Sequence, residues 1–318
     1  MVVDTHVDSL LEVVRQRRRL DERGGQWNWP DAQQAGVRLQ VLACWVEPVY
    51  KPIQYWERLT ALLWAFWDEV EAHPEVTPVR TAGDLAQVEA GGGGGWLLAV
   101  EGLGGFAASL AGLRGLHRLG VRMASLTWNE RNELADGAGE DPGGGGLSRA
   151  GRAYLAEMER LGMVVDLAHL AEAGFWDVLN LASFPPVVSH ANCWTLAPHR
   201  RNLRDRQIRA LAARGGVQGI TLVPEFLGGR ADLDRVVDHI EHALAVVGDD
   251  LHLGLGTDFD GVEQPVEGLE TVAQLPRLAE RMSARGLADD TIARVMGENF
   301  WRYFQQALAR SQAQAHHL

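Results

Sequence analysis

Six side chains of metal-ligating type, His6, Asp8, Glu101, His169, His190 and Asp258, each stand where an apolar run gives way to a loop. In an extended strand successive side chains point to opposite faces. Asp4, His6 and Asp8 therefore share one face, and His6 and Asp8 are neighbours at the strand's end. A lone His-x-Asp pair says little, but the same residue types recurring at one kind of boundary say more. Three histidines and three carboxylates exceed the three protein ligands of a mononuclear catalytic zinc site, so two ions are expected. Two ions about 3.5–4 Å apart need a bridging anion. Lys51 is the only lysine and is expected far from a strand end, which removes a carboxylated lysine as the bridge. Glu101 is then the natural bridge, one oxygen to each ion. Such a pair of ions turns a bridging water into hydroxide near neutral pH, and Asp258 is placed to move its proton to a leaving amine. The chemistry is metal-assisted hydrolysis of an amide or related carbonyl. Histidine and carboxylate donors without thiolates are compatible with Zn2+, Mn2+ or Co2+.

The elements that position these groups follow from the apolar pattern. Eight strands are predicted, over residues 2–8, 37–46, 96–101, 122–128, 163–169, 186–190, 217–223 and 252–258. Several are continuous apolar runs, as in parallel strands buried on both faces. Helical periodicity covers 55–72, with Trp56, Leu59, Leu63 and Trp67 in its stripe, and 147–161, 171–181, 205–214, 232–247 and 288–308. Alternation of this kind over about 300 residues points to a TIM (β/α)8 barrel, whose functional residues gather at the C-terminal strand ends. A doubly wound open sheet is the alternative, but no glycine fingerprint follows the first strand. One catalytic domain is expected over 1–310, with a disordered tail over 311–318 that includes His316 and His317. The glycine runs 91–95 and 143–146 read as flexible connections, since neither carries the Lys-Ser/Thr of a phosphate loop. Residues 137–146 read as a mobile loop over the active site. Asp260 reads as structural, closing a turn with Gly261.

Composition narrows the class. The chain has 318 residues, 46% hydrophobic and 23% charged, which suits a globular protein with a sizeable core. Its formal net charge of −12 leaves no basic footprint for nucleic acid. Two cysteines, Cys44 and Cys193, make neither a disulfide framework nor a thiolate metal site. No leader pattern and no apolar run of about 18 residues is present, so no membrane partner and a cytoplasmic location are expected.

The ordered set of motifs resembles the membrane (renal) dipeptidase family of zinc metallopeptidases, within the amidohydrolase superfamily. The matching stretches are Asp4-Thr-His-Val-Asp8, Val100-Glu-Gly102, Leu126-Thr127 with Ala135-Asp136, 161–169 ending in His169, Val188-Ser-His190, Arg200-Arg-Asn202, 256–261 and Glu267-Gly-Leu269. They run in family order through essentially the whole chain. The resemblance implies that His6 and Asp8 hold one zinc, that Glu101 bridges, and that His169 and His190 hold the second. It implies Asp258 as catalytic acid/base and Arg201 as receiver of the substrate's terminal carboxylate, a task suited to a planar guanidinium. Two positions depart from the family. Trp128 stands where many members have a histidine that contacts substrate, and Asn129 is a candidate substitute. Phe226 stands where some members have a tyrosine hydroxyl near the substrate carboxylate.

The expected function is that of a dinuclear-zinc dipeptidase. It would act on dipeptides with a free C-terminal carboxylate and tolerate a D-residue at that position. Trp128 and Phe226 motivate the alternative of another amidohydrolase, such as an N-acyl amino acid deacylase or a lactonase. A non-catalytic metal-binding barrel is a third reading. Family members often form dimers, so a homodimer is among the expected partners.

Overall fold

Residues 2–7 are β-branched at Val2, Val3, Thr5 and Val7 and buried on both faces, as a parallel strand covered by helices requires. They open a set of eight strands in the computed structural model. These are β1 (Val2–Val7), β2 (Val37–Trp45), β3 (Val76–Pro78), β4 (Gly94–Glu101), β5 (Val121–Ser125), β6 (Val164–Asp166), β7 (Gln218–Ile220) and β8 (Leu253–Leu255). The structure describes residues 1–106 and 108–315. The chain forms two compact units, one of Met1–Leu42 with Val188–Tyr303, the other of Ala43–Val187 with the chain from Phe304 onward.

In the first unit the parallel order is β2, β1, β8, β7. Val3 lies opposite Leu39, Asp4 opposite Leu255, and Ile220 opposite Leu255. The strand predicted over 186–190 shrinks to single bridges, of which Val188 to Gln218 belongs to this unit. The ladder breaks at Ser189, whose carbonyl accepts from Thr5 Oγ1 at 2.7 Å in place of a strand N–H. Glycines make room for that carbonyl: a Cβ on Gly219 would sit 2.0 Å from it, and one on Gly256 1.8 Å. The helix predicted over 288–308 is interrupted. Asp289–Ala293 leads into a wide π turn at Arg294–Glu298 before Asn299–Ala315 begins. The turn brings Gly297 against β1, where a Cβ would meet Val3 N at 2.8 Å. The last helix reaches Ala315, inside the stretch read from sequence as a tail. His316 and His317 lie outside the described residues.

In the second unit β4 lies between β3 and β5, and β5 pairs with β6. Glu101 is opposite Ser125, and Ser125 opposite Asp166. β3 has only three residues and a proline, which hid it from periodicity. Gly94 and Gly95, read as part of a flexible connection, are the first residues of β4 and pair with Val76 and Thr77. The helix Tyr55–Ala72 buries Tyr55, Leu59, Leu62, Leu63 and Phe66. Leu59 and Leu63 of the predicted stripe are buried, whereas Trp56 is 48% exposed and its neighbour Tyr55 is buried instead. Among the described residues, no helix is long and apolar enough to cross a membrane.

Candidate metal centre

The first unit collects His6, Asp8, His190, Arg201, Phe226 and Asp258. β1 carries His6, and Asp8 follows in the turn where Asp8 N donates to Phe259 O at 2.9 Å. Asp258 N donates in turn to His6 O at 3.0 Å, so the ends of β1 and β8 are laced together. Asp258 holds φ +65° and Asp260 φ +63°, positions that non-glycine residues take at a cost and that cluster at functional sites. His6 Nε2 is 3.9 Å from Asp8 Oδ1 and 3.7 Å from Asp258 Oδ1. One donor atom from each of His6, Asp8 and Asp258 falls within 4.8 Å of the others, all three residues buried. The His6 and His190 rings are 4.0 Å apart between centroids. A buried cluster of imidazole and carboxylate donors with no thiolate fits a borderline-hard divalent ion.

The residues around this cluster hold it in place. Asp4, on the same strand face, accepts from Thr257 N at 2.9 Å and from Thr257 Oγ1 at 2.7 Å. It ties β1 to the residue before Asp258. Asp260 accepts from Ser9 Oγ at 2.6 Å and Gln26 N at 2.7 Å and pairs with Arg18 at 3.1 Å, the structural role read from sequence. Ser189 Oγ lies 2.7 Å from His190 Nδ1. Arg201 is buried, with Nη2 donating to His190 O at 3.2 Å. Its guanidinium sits 5.4 Å from the Phe226 ring, which stacks on His199 at 4.5 Å. Phe226 thus holds the arginine through the face of its ring.

Electrostatics suits both ligation and proton transfer. Burial first and the Arg201 charge second lower the His6 imidazole to about 3, so the ring stays neutral as a metal ligand must. Burial pushes Asp258 up to about 7; Arg201 opposes the rise and Asp4 adds to it. A carboxyl near neutrality can both accept and return a proton.

The second unit collects Glu101, His169, Trp128 and Asn129. Glu101 ends β4, and its Oε1 is 2.5 Å from His169 Nε2. His169 holds φ +67°. Its carbonyl accepts from Ala138 N at 2.7 Å and Thr127 Oγ1 at 3.3 Å. The other ring nitrogen, Nδ1, is 2.9 Å from Asn129 Oδ1. Trp128 packs between Trp45, 5.1 Å away, and His169, 5.9 Å away, measured between ring centroids. Lys51 corrects the sequence reading. It is not remote from strand ends: Nζ lies 5.5 Å from the Trp128 ring and pairs with Glu130 in the loop after β5. Position along the sequence misled, because Lys51 meets a loop about eighty residues away. A cleft of about 290 Å3 beside this pair is lined by Tyr55, Gly102, Trp128 and Glu130.

Sequence reasoning named the donors but missed the groups behind them. Asp4 and Ser189 were visible as polar residues flanking His6 and His190 in otherwise apolar runs. Nothing in the sequence linked Thr257 to Asp4, or Asn129 to His169, because those contacts join distant segments.

A model of the membrane dipeptidase family, peptidase family M19, matches residues 1–317. A dipeptidase of Aspergillus oryzae, aclJ, is 41% identical over 211 residues, 65% of this chain and 50% of that one. The matched segment thus spans about half the length of that curated relative. Among solved structures, a dipeptidase described as an M19 metallopeptidase superposes with a TM-score of 0.89 at 27% identity, covering 97% of this chain and 98% of that one. A Rhodobacter sphaeroides metallopeptidase, solved with a phosphinate mimic of the dipeptide L-Ala-D-Ala, gives 0.88 at 26% identity, covering 98% of this chain and 99% of that one. Likeness over this much of the chain places it in the α/β barrel class expected from the sequence. The chain belongs to the membrane dipeptidase family, peptidase family M19.

Proposed function

We propose that this chain is a dinuclear metallodipeptidase that uses zinc and hydrolyses dipeptides with a free C-terminal carboxylate. The observation that carries the reading is the buried cluster of His6, Asp8, His190 and Asp258 beside the buried Arg201, in a chain of the M19 family. His6 and Asp8 would hold one ion and His169 and His190 the other, with Glu101 shared. When bound, two divalent ions lower the pKa of a water and polarise a carbonyl.

The protein's own residues supply the rest. Arg201 binds the terminal carboxylate through its guanidinium, its charge kept in place by His190 O and the Phe226 ring. Asp258 starts deprotonated, takes a proton from the attacking water, and gives it to the departing amine. Its position near neutrality suits both halves of that exchange. Asp4 and Thr257 fix the backbone that presents it. Tolerance of a D-residue on the C-terminal side is part of the proposal. It is supported by the L-Ala-D-Ala mimic bound to the Rhodobacter relative.

One observation favours a second reading. Phe226 gives Arg201 a ring face but no hydroxyl, so recognition of the carboxylate rests on the arginine. An N-acyl amino acid deacylase would present the same carboxylate. A panel of dipeptides of both stereochemistries is to be run beside N-acyl amino acids, with Zn2+, Mn2+ and Co2+. Dipeptide turnover well above acyl turnover is the expected result; the reverse would replace the proposal with the second reading.

A further inference from the structure

We infer that Asn129 is a positioning residue that fixes the ring of His169 through its side-chain oxygen. The inference rests on the reading of His169 as a metal ligand. A neutral imidazole carries one proton, and only the nitrogen without it can bind a metal. Asn129 Oδ1 accepts and cannot donate, so at 2.9 Å from Nδ1 it draws the proton there. The lone pair is left on Nε2, the nitrogen on the Glu101 side of the ring, where an ion would be held. The asparagine therefore selects the tautomer and the ring angle together.

Both ends of this hydrogen bond are anchored by one short segment. Ala138 N donates to His169 O at 2.7 Å, and Gly139 N donates to Asn129 O at 2.7 Å. Gly137 also bridges to Leu170. The segment lies flat against 128–129: a Cβ on Gly137 would be 2.1 Å from Trp128 O, and one on Gly139 2.4 Å from Asn129 O. The start of the loop read from sequence as mobile is thus pinned to the strand-end residues. The Asn129 side-chain oxygen is committed inside that arrangement. Trp128, next to it, packs against the His169 ring, 5.9 Å away between centroids.

The test is Zn2+ affinity, measured by competition with a chromophoric chelator on the full chain. Wild type, N129A and N129D are compared, and kcat and KM are recorded in parallel. Wild type should bind two ions. N129A should bind one of them about 10–100-fold more weakly, the usual effect of losing a group that orients a ligand. N129D keeps an acceptor at the same reach and should restore that affinity. The Asn129 O to Gly139 N bond is made by backbone, so the apo proteins should melt together. If N129A does not fold, N129S, whose hydroxyl is too short to reach Nδ1, takes its place. Wild-type affinity for both ions in N129A, with kcat alone reduced, would overturn the inference and return Asn129 to the substrate. Absence of Zn2+ binding in wild type would instead remove the metal-centre reading, and this inference with it.

Discussion

Removing the Arg201 guanidinium tests how the site recognises its substrate. The side chain is buried, and one of its nitrogens is already bound to His190 O. Hydrogen bonds from the guanidinium to a substrate carboxylate are charge-assisted and worth about 1.5–3 kcal/mol in total effect. At about 1.4 kcal/mol per factor of ten, R201A should lower kcat/KM roughly 10–100-fold. The loss should fall mainly on KM if the carboxylate is held equally in ground and transition states. A second effect follows from the same charge. Arg201 holds the Asp258 pKa down against burial, so its removal lets that pKa rise. Asp258 must be deprotonated to accept a proton, and the acid limb of the kcat/KM profile should move to higher pH. The assay pairs a dipeptide with its C-terminal amide. Wild type should prefer the free acid strongly, and R201A should hardly distinguish them. An unchanged acid-to-amide ratio in R201A would refute the carboxylate clamp.

Three other outcomes follow from the structure. D258N removes the proton carrier and should cost about 10²–10⁴ in kcat, while Zn2+ content and the circular dichroism spectrum stay at wild-type values. G256A places a Cβ 1.8 Å from the Ser189 carbonyl and should destabilise by about 1–3 kcal/mol or more in urea denaturation, as overpacking against backbone does. Glu157 is held down to about 2 by Arg160 and then Arg114, against its own partial burial. Its folded pKa lies below the unfolded value of 4.5, so its contribution to stability is present above 4.5 and lost as pH falls towards 2. Urea midpoints between pH 4.5 and 2 should therefore fall less steeply in E157Q than in wild type.

Local chemistry made much of the fold legible. β1, β2 and β4 have six, nine and eight residues, long enough that their Val- and Leu-rich runs are recognisable even where Asp4, His6, Arg38 and Gln40 interrupt them. The helix Tyr55–Ala72 was bounded correctly, since eighteen residues of period fix its ends even when the stripe is misassigned. What failed was set by tertiary contact. β3 is too short to show a period. Residues 186–190 look like a strand, but the Ser189 carbonyl is taken by the Thr5 hydroxyl. The π turn at Arg294–Glu298 exists because Gly297 must lie against β1, which the helix's own sequence does not announce. The same division holds at the site. Donor types such as His6 and His169 were readable one by one. Their supports were not: Asp4 meets Thr257 from the other end of the chain, and Asn129 meets the ring of His169 forty residues further on. Lys51 shows the limit in the other direction, since a residue expected to lie far from a strand end sits over Trp128.

The proposed two-ion centre hydrolyses dipeptides only when both ions are bound. The most direct measurement strips the protein with a chelator, titrates Zn2+ back, and follows turnover of L-Ala-D-Ala and L-Ala-L-Ala at each point. Activity should be absent without metal and rise to its maximum as loading approaches two ions per chain. Full activity in the stripped protein, a maximum at one ion with no further change, or no dipeptide turnover at full loading would contradict it.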